Sequence, residues 1–80
     1  MSDEPVIEFE TDTEIEELLD KAGQTARVRG YDIDKETENA LFFSDSRTKY
    51  RLEVEKGQVE LYGQHPEALG IYKTILQSKL

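Results

Sequence analysis

The stretch that decides the fold is residues 48–62, which read TKYRLEVEKGQVELY. Apolar and polar side chains alternate up to residue 55 and again from residue 58, and Lys56-Gly57 stands between the two runs. Alternation with period two is typical of a half-buried strand, because successive side chains point to opposite sides of a sheet. Glycine tolerates the positive φ of a two-residue hairpin turn. The stretch therefore predicts a β-hairpin with strands over 48–55 and 58–62.

Three further strands are predicted before the hairpin. Residues 40–44 (ALFFS) are a short apolar run with the aromatic content of a central strand. Residues 6–10 alternate as in a half-buried strand. The pattern also has period two over residues 25–33, where Gly30 would mark a bulge, and we expect a polar turn over 34–39.

Two helices complete the pattern. Thr11 and Glu14 have the spacing of a capping box, and Gly23 supplies a stop signal. Between these signals, one apolar helical face is formed by Ile15, Leu18, Leu19 and Ala22. A second helix is predicted from Pro66, which suits a first helical position. Its apolar stripe is Leu69, Tyr72, Ile75, Leu76 and Leu80.

The predicted order is β-α-β-β-β-β-α. Because each helix has one apolar stripe to bury, we expect an α+β fold in which one antiparallel sheet carries both helices on one face. The 80 residues allow a single small domain over 1–80 with a thin core, and residues 1–5 are expected to be loosely ordered. The chain has no cysteine, so neither a disulfide nor a thiolate metal site can support that core.

The negative charge is concentrated at one end of the chain. Residues 1–20 contain nine of the 18 acidic residues and no Lys or Arg, a charge of −9, whereas the other sixty residues contain nine acids and ten bases, so the total is −8. This balance disfavours long-range attraction to nucleic acid and favours attraction to a basic protein. No apolar run approaches the roughly 20 residues of a membrane span, and we expect a cytoplasmic protein without membrane contact.

The acidic first helix is the first candidate site. Asp12, Glu16 and Asp20 recur every four residues and would share one stripe. The predicted contact residues for a basic protein partner are Glu8, Glu10, Asp12, Glu16, Glu17 and Asp20. Acids near a helix N-terminus also stabilise the helix dipole, and an acidic surface is also typical of adaptation to high salt. These two alternatives stay open.

A second candidate is the face of the sheet that the helices leave uncovered. Exposed sheets with basic and aromatic side chains can bind single-stranded nucleic acid by stacking bases over a cationic track. The residues that would form such a face are Arg27, Arg29, Tyr31, Lys49, Arg51 and Tyr62. Acidic residues continue the same strands, so cross-strand ion pairing explains the pattern equally well.

The sequence offers little for catalysis or metal binding. His65 is the only histidine, and its position before Pro66 predicts a role at the start of the second helix. The acidic run 32–38 resembles a calcium loop, but Thr37 replaces the required glycine and Phe43 replaces the bidentate glutamate. We therefore expect no cofactor, no metal and no enzymatic activity.

We expect a small non-catalytic binding or regulatory module. Its predicted partner is a basic protein surface, with nucleic acid as the partner only under the alternative interpretation. A homodimer is also expected to be possible, because a thin core gains from association and a short N-terminal strand can leave a sheet edge unpaired.

Overall fold

The computed structural model describes residues 4–80 and contains one antiparallel sheet with two helices, the predicted α+β fold. The elements are β1 (Ile7–Glu10), α1 (Ile15–Val28), β2 (Asp32–Glu36), β3 (Ala40–Ser44), β4 (Lys49–Glu55), β5 (Gln58–Tyr62) and α2 (Pro66–Lys79). Their order is the predicted β-α-β-β-β-β-α. Residues 1–5 were predicted to be loosely ordered. Residues 1–3 of this segment lie outside the described residues.

The strands are arranged in the order β1-β5-β4-β3-β2, so β4 is the central strand. The predicted hairpin is confirmed, with Val54 opposite Val59 and Leu52 opposite Leu61. Its turn has Lys56 at φ 50° and Gly57 at φ 77°. Two positive φ values in a two-residue loop match the right-handed twist of the flanking strands, which is why glycine occupies the second position.

Both helices cover one face of the sheet, and the core lies between the helices and this face. The inward side chains of the strands form a single cluster with the apolar stripes of the helices. Phe43 stacks on Tyr72 with ring centroids 4.8 Å apart, and the Tyr72 hydroxyl donates a buried hydrogen bond of 2.7 Å to the Ala22 carbonyl oxygen. Burial of this phenol raises the pKa of Tyr72 well above its ordinary value. The bond joins α2 directly to α1.

The predicted start of α1 is wrong in detail. Glu14 is the N-cap residue and makes no side-chain capping hydrogen bond. The Thr11 hydroxyl oxygen instead accepts a hydrogen bond of 3.1 Å from the backbone N–H of Thr13, so this hydroxyl stabilises a local turn before the helix. Asp12 therefore precedes α1 and does not belong to its acidic stripe.

The predicted end of α1 is also wrong. The helix continues through Gly23 to Val28, and the predicted strand over 25–33 does not form there. The stop signal is Gly30 at φ 84°, whose N–H donates to the Arg27 carbonyl, while the Tyr31 N–H donates to the Ala26 carbonyl. These two bonds form a Schellman motif, which needs a left-handed residue at the position of the glycine.

The second strand consequently begins later than predicted. β2 spans Asp32–Glu36, most of it in the stretch predicted to be a polar turn. Its pairing with β3 shifts between Ile33 and Lys35, which places a bulge at Asp34. Only residues 37–39 form the connection to β3.

The second helix agrees with its prediction. His65 is the N-cap residue of α2 and Pro66 is its first residue. Of the predicted stripe, Leu69, Tyr72 and Leu76 are buried. Both helices contain 14 residues, and in the described part of the chain neither is long and apolar enough to cross a membrane.

Candidate functional site

The six predicted partner-binding acids lie on different sides of the molecule. Glu16 and Asp20 lie on α1, with Glu17 beside them on the exposed helix surface. Asp12 lies in the connection between β1 and α1. Glu8 and Glu10 alternate with the inward-facing Ile7 and Phe9, so they point away from the helices. The structure therefore divides the predicted set into a helix-side group and a sheet-side group.

Two of the predicted acids, Glu16 and Asp20, line a groove, which we call the acidic groove; Asp12 and Glu17 do not line it. It has a volume of about 840 Å³ and lies between the first turns of α1, the β2–β3 turn and the end of the hairpin. Its polar rim contains five carboxylates and one lysine: Glu16, Asp20, Glu36, Glu38, Glu55 and Lys56. Three of these acids, Glu36, Glu38 and Glu55, were not predicted as site residues.

Chain direction explains why these segments meet. Neighbouring strands are antiparallel, so the β2–β3 and β4–β5 turns lie at the same end of the sheet. The chain leaves β1 at this end and begins α1 there, and the Thr11 N–H donates a hydrogen bond of 2.8 Å to the Gly57 carbonyl. The positive end of the α1 dipole therefore lies beside the β2–β3 and β4–β5 turns.

The acidic groove also has an apolar floor. Leu19 and Val54 form part of it and are almost fully buried, whereas Ile15 keeps 36% of its surface exposed. Ile15 therefore leaves an exposed apolar surface between the carboxylates of the rim. On the rim, the Asp20 carboxylate accepts a hydrogen bond of 2.9 Å from the Gln24 amide, one turn further along α1. The groove thus combines negative charge with an apolar contact.

The open face is the side of the sheet that points away from both helices. Three residues of the predicted nucleic-acid surface do not belong to it. Arg27 lies on α1 and Arg29 is its C-cap residue, because the helix continues where a strand was predicted. Tyr31 packs against Phe43 and Tyr50 on the helix side of the sheet, with ring centroids 5.3 and 5.4 Å away.

Lys49, Arg51 and Tyr62 do lie on the open face, as predicted. Arg51 lies 4.0 Å from the ring centroid of Tyr62, and Lys35 lies 5.9 Å from that of Phe42. Strand register places these four residues side by side across β5, β4, β3 and β2 in a cationic–aromatic row: Tyr62, Arg51, Phe42 and Lys35. Phe42 and Lys35 were not predicted as site residues, because the β2–β3 register cannot be derived from a polar segment.

An acidic row runs beside the cationic–aromatic row. Glu8 is opposite Glu60 on β5, and Glu60 is opposite Glu53 on β4. Like charges directly opposite each other destabilise a sheet, so this row lowers stability unless a cation is nearby. Arg51 makes an ion pair with Glu53, its neighbour on the same side of β4. The burial of Tyr62, together with the Glu60 carboxylate, raises the pKa of the Tyr62 phenol, which stays neutral.

A separate depression, of about 620 Å³, contains the histidine. His65, Asp45 and Tyr50 are among its lining residues. The Asp45 carboxylate accepts hydrogen bonds of 2.8 and 2.7 Å from the backbone N–H groups of Arg47 and Thr48, and these bonds lower the pKa of Asp45. An ionised carboxylate with these partners stabilises the β3–β4 turn. We assign the depression a structural role.

Metal binding gains no support from the positions of the side chains. Among residues 4–80, no group of three or more His, Asp or Glu side chains is placed to hold a metal ion. The comparisons with known proteins add no further candidate chemistry. No protein-family model, curated protein or solved structure matches this chain.

Proposed function

We propose that the protein is a non-catalytic binding module that holds a basic, amphipathic protein segment in the acidic groove. One observation carries the proposal: five carboxylates from three separate chain segments surround an apolar floor, with one lysine among them. The proposal keeps the predicted contacts Glu16 and Asp20 and adds Glu36, Glu38 and Glu55. It does not require Glu8 or Glu10, which lie on the opposite side of the sheet.

Electrostatics supports this partner class. The chain carries a net charge of −8, so a basic segment is attracted before contact and its association rate is raised. Carboxylates that repel each other in the free groove are neutralised when Lys or Arg side chains bind between them. An apolar side chain of the partner then covers Ile15, which supplies a contact that added salt does not weaken.

The test uses a fluorescent synthetic helix-forming peptide with lysines on one face and leucines on the other. Binding is measured by anisotropy with the wild-type protein and with a triple variant, Glu16→Gln, Glu36→Gln and Glu38→Gln. Each lost surface ion pair weakens binding by about 0.5 kcal/mol, so we expect roughly a tenfold rise in Kd. Raising the salt concentration should weaken wild-type binding more than binding by the variant.

The matched control is a second triple variant, Glu8→Gln, Glu10→Gln and Glu60→Gln, which changes the net charge equally but alters only the open face. Its Kd should stay within about twofold of wild type, because these residues do not line the groove. Equal losses in both variants would show that binding responds to total charge alone. A peptide with glutamates in place of the lysines should not bind.

A nucleic-acid interface remains the second candidate, and the cationic–aromatic row favours it. The row offers two aromatic rings and two cations on adjacent strands, a suitable surface for stacked bases. The adjacent acidic row repels a phosphate backbone, which argues against it. Titration of labelled single-stranded RNA at low salt tests this function. Binding that is lost in Arg51→Ala and kept in the groove triple variant would support it.

Adaptation to high salt is a third explanation for the acidic surface, and it concerns stability rather than a partner. It predicts a marked rise in melting temperature in concentrated salt for wild type. Thermal unfolding at low and at molar salt concentrations provides this measurement independently of any binding experiment.

A further inference from the structure

The central strand carries a charge pattern on the open face that is complementary to itself. The outward side chains of β4 are, in order, Lys49, Arg51, Glu53 and Glu55: two cations followed by two anions. In the opposite direction along β4, the order of these four side chains is two anions followed by two cations. A second copy of β4 laid antiparallel across the first therefore faces every cation with an anion.

We infer that the open face associates with the open face of a second copy in a two-fold symmetric dimer. The axis lies between the sheets, perpendicular to β4, and passes between Arg51 and Glu53. Arg51 then faces Glu53 of the other copy, and Lys49 faces Glu55. In such a symmetric interface each contact occurs twice. This interface differs from pairing through a sheet edge. It is formed by side chains of the open face, and the backbones of the edge strands β1 and β2 take no part in it.

The neighbouring strands support the same arrangement. The rotation lays the cationic–aromatic row over the acidic row of the other copy, so Tyr62 faces Glu60 and Phe42 faces the small Ala40. A neutral phenol can donate a hydrogen bond to a carboxylate. The half-buried ring of Phe42 contributes apolar area to the contact.

Charge also excludes the alternative two-fold axis. An axis parallel to β4 would lay each row over itself, so that Arg51 faced Arg51 and Glu53 faced Glu53. Like charges face one another in that arrangement, whereas the perpendicular axis pairs opposite charges. Aligned sheets pack with their strands within about 30° of each other, which the perpendicular axis permits.

The size of the face sets the expected strength. Five strands at about 4.8 Å spacing, each contributing about five residues of 3.4 Å, give a face of roughly 400 Å² per copy. Two such faces bury about 800 Å² in total, less than the roughly 1,200–2,000 Å² of stable specific interfaces, so we expect a weak, reversible dimer. Each copy also has a net charge of −8, and this long-range repulsion is reduced by added salt. Moderate salt should therefore favour the dimer.

The test is sedimentation equilibrium from about 10 μM to 2 mM protein in 0.15 M and 0.5 M NaCl. Wild type should change from monomer to dimer across this range. Arg51→Glu and Glu53→Arg each place like charges opposite one another, and each should weaken self-association at least tenfold. The control is Lys79→Glu, which changes the charge as Arg51→Glu does but lies at the exposed end of α2 and should leave the dimer unchanged.

A mixture of the two variants tests directly whether residue 51 of one copy faces residue 53 of the other. In an equimolar mixture, the acidic side chain introduced by Arg51→Glu would face the basic side chain introduced by Glu53→Arg. The unchanged Glu53 and Arg51 would form the second contact, so a heterodimer should form near wild-type strength. The double variant Arg51→Glu/Glu53→Arg should form a homodimer again. Circular dichroism checks that each variant is folded, and concentration-dependent NMR shifts in wild type should map to the open face.

Several outcomes would overturn the inference. A wild-type protein that stays monomeric at 2 mM in both salt concentrations would contradict the proposed dimer directly. A dimer that Arg51→Glu leaves intact, or variants that do not associate when mixed, shows that β4 does not pair with β4. Wild-type NMR shifts confined to the edges of β1 or β2 would indicate edge pairing instead.

Discussion

Two glycines of α1 provide a pair of substitutions with opposite expected effects. Gly23 lies within the helix, and a Cβ built there meets no atom within 4 Å beyond the adjacent residues and the backbone of its own helix. Gly30 lies after the helix at φ 84°, also in open space, so only its backbone conformation resists a side chain. Replacing each in turn by alanine therefore tests helix propensity at one site and left-handed backbone strain at the other.

The magnitudes follow from these two environments. Alanine is preferred to glycine inside a helix by about 0.5–1 kcal/mol, so Gly23→Ala should stabilise the fold by that amount. At Gly30, a left-handed alanine costs about 1–2 kcal/mol, and the lower entropy of the unfolded chain offsets about 0.5 kcal/mol of this. Gly30→Ala should therefore destabilise the fold by about 1 kcal/mol.

The assay is thermal unfolding followed by circular dichroism at 222 nm. For a chain of this length 1 kcal/mol corresponds to roughly 6 °C, so we expect Tm to rise by about 3–6 °C for Gly23→Ala and to fall by about 6 °C for Gly30→Ala. If α1 ended at Gly23, as its sequence suggests, Gly23→Ala would lower Tm and Gly30→Ala would have little effect. That reversal would refute the length of α1 and the Schellman motif together.

Three further outcomes are expected. Tyr72→Phe removes the hydrogen bond to the Ala22 carbonyl and should cost about 1 kcal/mol in urea unfolding, with an unchanged circular dichroism spectrum. Gly63→Ala should lower Tm, because the new Cβ would overlap the Tyr50 ring unless this packed ring moves. Hydrogen bonding lowers the pKa of Asp45, so its stabilising effect is complete above about pH 4 and is lost as the pH falls further. The urea midpoint of Asp45→Asn should therefore lie below that of wild type at pH 6, and the two midpoints should converge as the pH falls below the ordinary pKa of an aspartate; a gap that stayed constant with pH would contradict this assignment.

The elements that could be predicted are those with one unambiguous period. The hairpin alternates strictly and has glycine where the turn needs a positive φ, and α2 combines an initial proline with one apolar stripe. Residues 25–31 (TARVRGY) fit two periods at once. Their alternation and β-branched content suit a strand, yet Ala22 and Ala26 are also one helical turn apart. Local pattern could not choose between these two structures.

The same ambiguity caused the errors in the predicted nucleic-acid surface. Arg27 and Arg29 were predicted to lie on the open face because their segment was interpreted as a strand, and its helical structure places them elsewhere. The acidic residues of α1 could be identified from sequence. Their companions Glu36 and Glu38 could not, because a contact between a helix and a distant turn leaves no local signal.

By itself the sequence determined the element order, the hairpin, the α+β class and the acidic character of the first helix, all of which depend on short-range periodicity and composition. Tertiary structure decided where α1 ends, because both Ala22 and Ala26 are fully buried in the shared core and helical geometry places them on one face. It also decided which charges meet. Antiparallel pairing assembled the acidic groove at one end of the sheet and aligned the charges of β4 with the rows on either side, and pairing between distant segments is a property of the packed chain.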